Sequence, residues 1–224
     1  KELTALNYYT NEEITIPLDP TQTPGENAQR YFAKYNKQKR TFEALTELIQ
    51  ETADDIQYLE SISNALDIAL SEADLAQIKE ELMQSGYIRR KHTKKKVKLT
   101  SKPMHYISSD GYDMYVGKNN LQNEELTFSF ANGNDWWFHA KGAPGSHVIV
   151  KSGGDELPDR TFEEAGRLAA YYSKNRGADK VEIDYIQKKH VKKPNGAKPG
   201  FVVYYTNYSL VIDSDISNIK NVQD

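Results

Sequence analysis

At 224 residues the chain has room for one large or two small domains, and its 38% hydrophobic and 27% charged residues suit a globule plus a long solvated helix better than one tight globule. It has no cysteine, which excludes a disulfide framework, a thiolate zinc site and a cysteine nucleophile and suits a reducing, cytoplasmic setting, and no apolar run approaches the ~20 residues of a membrane span. Net charge is only −3, yet the charge is segregated: thirteen of the 29 basic residues fall in the acid-free stretches 86–104 and 187–198, while 43–81 holds eleven acids and one base, Lys79.

The chain starts at Lys1, without Met and without a signal-peptide pattern, so a piece of a longer protein is expected. Residues 1–23 read as the tail of a missing N-terminal domain. Pro17, Pro20 and Pro24 forbid a continuous helix there, and Ile14-Thr15-Ile16 could add a strand to that domain.

From Pro24 the pattern changes. No Pro or Gly falls between Gly25 and Gly86, and apolar residues recur at heptad spacing at Ala28, Tyr31, Tyr35, Phe42, Leu45, Ile49, Ile56, Leu59, Leu66 and Leu70. This predicts a coiled-coil arm over 24–86. Ser71 reads as the N-cap of a second helix with Glu72 and Asp74 in its first turn, Leu75, Ile78 and Leu82 as its seam, and Gly86 as its C′ residue. That gives a helical hairpin turning near Leu70–Ser71, with a turn near Ala53–Asp55 as the alternative. Residues 87–103 form a basic linker ended by Pro103.

Residues 104–213 read as a separate globular domain, followed by a frayed tail over 214–224. Strands are expected at Met104–Ile107, Tyr112–Val116, Trp136–His139, His147–Lys151, Lys180–Ile186, Phe201–Thr206 and Ser209–Ile212, with Asp110-Gly111 as a hairpin turn. A short helix is expected over Glu124–Ala131, capped by Asn123. A longer one is expected over Phe162–Lys174, with Thr161 and Glu164 as a capping box. Strands grouped around two helices predict an α+β class, with a mostly antiparallel sheet after the helical hairpin.

Several separated motifs carry a resemblance. Gly117-Lys118-Asn119-Asn120-Leu121-Gln122-Asn123 is similar to a "VGRNNxQND" element. Asp135-Trp136-Trp137-Phe138-His139-Ala140-Lys141 follows, then Pro144-Gly145-Ser146-His147-Val148-Ile149 and the run from Val191 to Gly200. Together they resemble the C-terminal RNA-binding domain of the NFACT family, which includes bacterial ribosome quality-control factors once called fibronectin-binding protein A-like. The helix from Asn27-Ala28-Gln29-Arg30-Tyr31-Phe32 onward resembles that family's coiled-coil middle segment. The resemblance implies binding to a stalled large ribosomal subunit and to tRNA, alanyl-tRNA above all, in support of a template-free alanine tail. Bond formation in that process belongs to the ribosome.

The residues themselves point to phosphate-binding chemistry. Lys188, Lys189, Lys192, Lys193 and Lys198 lie on one loop without acids, where each can neutralise a phosphate and release counterions; a merely solvated loop is the plainer alternative. The linker cations Arg89, Arg90, Lys94, Lys95 and Lys96 could act alike or serve as a tether. In the segment 136–147, one of the adjacent Trp136 and Trp137 should face outward if the strand holds, making a stacking platform beside His139 and Lys141, with Ser146 and His147 at a turn that could offer N–H groups to a phosphate. Both tryptophans being buried is the alternative. Lys118, Asn119 and Asn120 complete the candidate RNA contacts.

Asp135, His139, His147 and His190 could converge on a metal, but their spacing matches no compact zinc motif, so no metal or cofactor is expected. No Walker loop, nucleophile elbow or dinucleotide fingerprint occurs, and a binding module rather than a free-standing enzyme is expected, with no membrane and no small-molecule substrate as partner. The acidic helix repels RNA and would suit a basic ribosomal protein. A fibronectin-binding adhesin and a metal-dependent nuclease are the rival readings.

Overall fold

The structure, a computed structural model, describes residues 1–89 and 100–222. The linker positions Arg90, Lys94, Lys95 and Lys96 lie outside the described residues. The chain divides into two units, Lys1–Asp55 and Ile56–Asp224.

In the first unit, the segment expected to be a tail is an antiparallel hairpin: β1 (Glu2–Asn7) pairs with β2 (Glu12–Pro17), Glu2 opposite Pro17. The chain then enters α1 (Pro24–Ile68), 45 residues and roughly 67 Å at 1.5 Å per residue. Pro24 occupies the first helical position, where its missing N–H costs nothing. Thr23 and Glu26 close a capping box, Glu26 accepting from the Thr23 N–H at 2.7 Å and from its hydroxyl at 2.8 Å. Asn27, buried, binds the Asp19 backbone through both ends of its amide.

The second unit takes the end of α1 and then α2 (Glu72–Gln84), which begins where the sequence signal placed it. Ser71 caps the helix and Asp74 completes its capping box. The seam differs from the predicted one. Tyr35, Phe42, Leu45, Ile49, Ile56, Leu59, Leu66 and Leu70 are exposed, and the residues that pack on Ile78 are Tyr58, Ile62 and Ala65. A heptad list finds an apolar stripe without saying which stripe meets the short partner helix.

A seven-stranded sheet follows, built from β3 (Met104–Ile107), β4 (Asp113–Val116), β5 (Trp136–Ala140), β6 (Val148–Val150), β7 (Val181–Gln187), β8 (Tyr208–Ile212) and β9 (Lys220–Asn221). The order is β8-β7-β5-β6-β4-β3-β9, antiparallel throughout, so the class is α+β as expected. One face carries the main core: Met114, Phe138, Val148, Val150 and Ile183 pack against Ala165, Leu168 and Ala169 of α4 (Asp159–Tyr171). The opposite face carries Trp137, Ile149 and Ile186, covered by Leu126, Ala131 and Val191. Strand alternation sends Trp137 to this second face and Trp136 to the first.

Four expectations are corrected here. The helix expected at Glu124–Ala131 is α3 (Asn120–Glu125), capped by Asn119 and continued by a π-helical turn, Leu126–Phe130. Thr161 and Glu164 do not cap α4, which starts earlier, after Pro158. They clamp the β3–β4 turn instead, Thr161 donating to Asp110 at 2.8 Å and Glu164 accepting from the Ser109 backbone at 2.8 Å. Residues 201–206 form no strand; a single bridge joins Lys192 to Val203, and Val202 and Tyr204 lie on the second face. The tail expected to fray is pinned, because β9 pairs with β3 and Ile219 is buried.

Candidate nucleic-acid interface

The motif Gly117–Asn123 is turned inward. Asp74, Gln77 and Glu81 recur at spacings of three and four along α2 and form a buried polar stripe. The motif supplies its partners: Lys118 Nζ meets Asp74 at 3.0 Å, Asn119 Nδ2 donates to Gln77 at 2.9 Å, and Asn120 Nδ2 donates to Glu81 at 2.8 Å. Gln122 Nε2 donates to Gln77 at 2.7 Å and to Ser101 Oγ at 2.8 Å. The backbone passes so close that a Cβ on Gly117 would stand 2.9 Å from the Asn123 nitrogen, and one on Gly200, at φ +77°, 2.9 Å from Asn120 Cβ.

Lys118, Asn119 and Asn120, expected as RNA contacts, are therefore buried and spent on fastening α2 to the sheet domain. Burial alone would push the Asp74 carboxyl up. Hydrogen bonds from Ser101, Lys118, Leu70 N–H and Ser71 outweigh that and hold it at about 2. Burial pushes Glu81 up, only partly offset by Asn120 and Tyr58.

The aromatic–histidine segment is also largely inside. Trp137 is fully buried, so it offers no face to a base. Trp136 is half-buried and packs edge-on against Phe162 at 4.8 Å, beside Tyr185 and Tyr208. His139 stacks on Trp137 at 5.6 Å, and His147 meets it edge-on at 5.5 Å while its Nδ1 pairs with Thr127 Oγ1 at 2.8 Å. Burial lowers the His139 pKa to about 4, against a smaller upward pull from the Gly145 backbone and Asp184. Burial, together with His139, holds His147 well below the ordinary value.

Both rings are thus neutral at neutral pH and make poor phosphate clamps. Ser146 is buried too. Lys141 is exposed but paired with Glu182 at 2.5 Å. The four residues weighed as a metal set do not converge: Asp135 is engaged by Lys151 and by the backbone of Asn132 and Ser152, and His190 is exposed on its own turn. Among the described residues no group of three or more His, Asp or Glu could hold a metal.

Two histidines whose folded values lie below their unfolded ones stabilise the fold above the unfolded value, and that contribution is lost as pH falls. The unfolding free energy of this chain, read from urea denaturation, will therefore drop between about pH 6.5 and pH 4, by up to about 1.4 kcal/mol per pH unit for each histidine. Glu81 acts in the opposite sense, so a His147→Asn variant that flattens the slope assigns the effect; an unchanged slope removes it.

What remains outside is the basic turn. Lys188–His190 form a 3₁₀ turn whose backbone is tied down, Lys188 N–H donating to Asp135 O at 2.8 Å and Lys189 N–H to Gly133 O at 3.0 Å. Lys189, Lys192 and Lys193 are exposed and Lys188 half-buried. Lys193 pairs with Glu124 at 2.6 Å; Lys188, Lys189 and Lys192 make no ion pair among the described residues. Lys198 is drawn away, its Nζ at 2.8 Å from Tyr87 Oη and 4.6 Å from the Tyr58 ring centroid. Arg89 is exposed. Sequence reasoning missed two rings, Phe128 beside Lys188 and Phe130 beside Lys151. Their alternation inside a segment read as an α-helix was the available signal.

The profile of the NFACT N-terminal and middle domains matches residues 1–101, and that of the NFACT protein RNA binding domain matches residues 102–206. The chain belongs to the NFACT family. Similar NFACT proteins include the Rqc2 homolog RqcH of Streptococcus pneumoniae D39, 46% identical over 218 residues, 97% of this chain and 39% of that one. The Rqc2 homolog RqcH of Bacillus subtilis 168 is 41% identical over 226 residues, 98% of this chain and 39% of that one. This NFACT chain spans about two fifths of their length. Among solved structures, the C-terminal part of the fibronectin/fibrinogen-binding protein of Streptococcus suis matches with a TM-score of 0.79 and 44% identity, over 88% of this chain and 79% of that one. Among the described residues of this NFACT chain, no helix is long and apolar enough to cross a membrane.

Proposed function

We propose that this NFACT chain is the RNA-gripping portion of a cytoplasmic ribosome quality-control factor, which holds the stalled large subunit and a tRNA, alanyl-tRNA in particular, and so supports alanine tailing of the blocked nascent chain. It works by binding, with no chemistry of its own. The observation that carries the reading is the anchored 3₁₀ turn with its unpaired lysines: a rigid cationic ridge suits a phosphate backbone. The match to an RNA-binding domain and the names of its relatives support it. The acids of α1, facing solvent between Glu43 and Asp55, suit a basic ribosomal protein.

The test is co-sedimentation with purified large and small subunits, with a tRNA gel shift beside it, at about 50 and 200 mM salt. Binding to the large subunit and to tRNA that falls steeply with salt is expected. Absence of binding to both at low salt sinks the reading. A second reading, an adhesin for extracellular matrix, draws on the name of the Streptococcus suis protein alone. Saturable fibronectin binding by the purified chain, unaffected by RNA, would favour it.

A further inference from the structure

The π-turn places two rings where an α-helix would not. Adding one residue to the turn, with the Ala131 N–H reaching back to Leu126 O at 2.9 Å, sends Leu126 and Thr127 inward and leaves Phe130 41% exposed. Such turns are rare and collect at functional sites. Phe130 does not float. It meets the edge of Tyr115 at 4.7 Å and 69°, and Tyr115 lies flat on its cross-strand partner His105 at 4.5 Å and 4°. Phe128 sits beside them on the second face of the sheet.

Cations border these rings. Lys151 Nζ lies 4.8 Å from the Phe130 centroid, and Lys188 Nζ 5.9 Å from that of Phe128. Two acids at this surface are already engaged, Asp113 with His105 at 2.7 Å and Asp135 with Lys151. The loop 132–135 joins the two groups, since the backbones of Lys188 and Lys189 bind Asp135 and Gly133.

We infer that His105, Tyr115 and Phe130, with the unpaired cations of Lys188 and Lys189 across the 132–135 loop, form a stacking shelf for unpaired bases, so that this surface takes single-stranded RNA in preference to duplex. The inference rests on the RNA-binding reading above and deepens it. A nucleotide has both parts the shelf addresses, a flat π face for the ring and a phosphate for the lysine. In a duplex the base faces are hidden in the stack, and only phosphates, 2′-hydroxyls and base edges can be reached. An apolar peptide would use the ring and leave Lys188 and Lys189 without counter-charge.

The experiment compares two RNAs by fluorescence anisotropy on the full chain: a ten-nucleotide single strand carrying one 2-aminopurine, and a ten-base-pair duplex. Phe130→Leu keeps the apolar volume and removes the ring; Phe130→Tyr keeps the ring. The wild type should favour the single strand and quench the aminopurine. Phe130→Leu should weaken the single strand by about tenfold, lose the quenching and leave the duplex within about twofold, while Phe130→Tyr behaves as the wild type. Equal affinity for both RNAs, or a Phe130→Leu variant that still quenches, overturns the shelf while leaving phosphate binding intact. Failure of the wild type to bind either RNA removes the nucleic-acid reading itself, and the shelf with it. Thermal melts of both variants separate impaired stacking from impaired folding.

Discussion

Exchanging Lys188, Lys189, Lys192 and Lys193 together for Glu abolishes RNA binding at physiological salt. The quadruple variant turns four positive charges into four negative ones, two on the turn tied to Gly133 and Asp135 and two just after it, where Lys192 N–H is held by Val203 O. Each phosphate left without its lysine takes about one unit from the slope of log affinity against log salt, so the slope should flatten by about 3 to 4 and the affinity fall at least about a hundredfold. Filter binding across a salt series measures both. Folding should survive, because none of these side chains supports the core. Lys193 is the one with a partner, Glu124, so a triple variant that spares it serves as the control. A quadruple variant that binds like the parent places the interface elsewhere.

Asp74→Ala costs about 3–5 kcal/mol of stability, read from urea denaturation of the whole chain. The carboxylate serves three elements at once: it completes the cap of α2, pairs with Lys118 before α3, and receives the Ser101 hydroxyl at 2.5 Å. Its removal leaves a buried ammonium with no counter-charge, the costly half of a broken ion pair. Because its folded pKa is about 2, below the unfolded value near 4, its contribution is present above the unfolded value and fades as pH falls through the interval between the two. Acid unfolding should therefore show two regimes, with the histidines acting above about pH 4 and Asp74 below it. A variant within about 1 kcal/mol of the parent at neutral pH shows that the stripe on α2 does not hold the helix.

Features decided locally were legible in the sequence. Ser71 announces α2 because a hydroxyl followed by acids is all an N-cap needs. The strands from β3 to β8 follow from runs of branched and aromatic residues bounded by turns, and their ends moved by a residue or two. Features decided by a distant partner were not legible. Thr161 and Glu164 have the spacing of a cap but spend their oxygens on a turn about fifty positions earlier. Lys118, Asn119 and Asn120 look like a polar surface loop until Asp74, Gln77 and Glu81 are known to face them. The tryptophan pair had to split between two faces, and only the covering segments, α4 on one side and 191–206 on the other, decide that neither is free. The resemblance found the family from these same motifs. What the motifs do differs from what their polarity suggested.

The two-residue pairing of β9 with β3 has a consequence for how the protein is made. Its partners lie about 115 residues apart in sequence, so the outer rim of β3 waits for residues 220–221 before it can be covered. At ordinary elongation rates that interval is roughly 6–20 s, during which a naked strand rim can recruit another nascent polypeptide. A chaperone that shields β3 until synthesis catches up should raise the soluble yield.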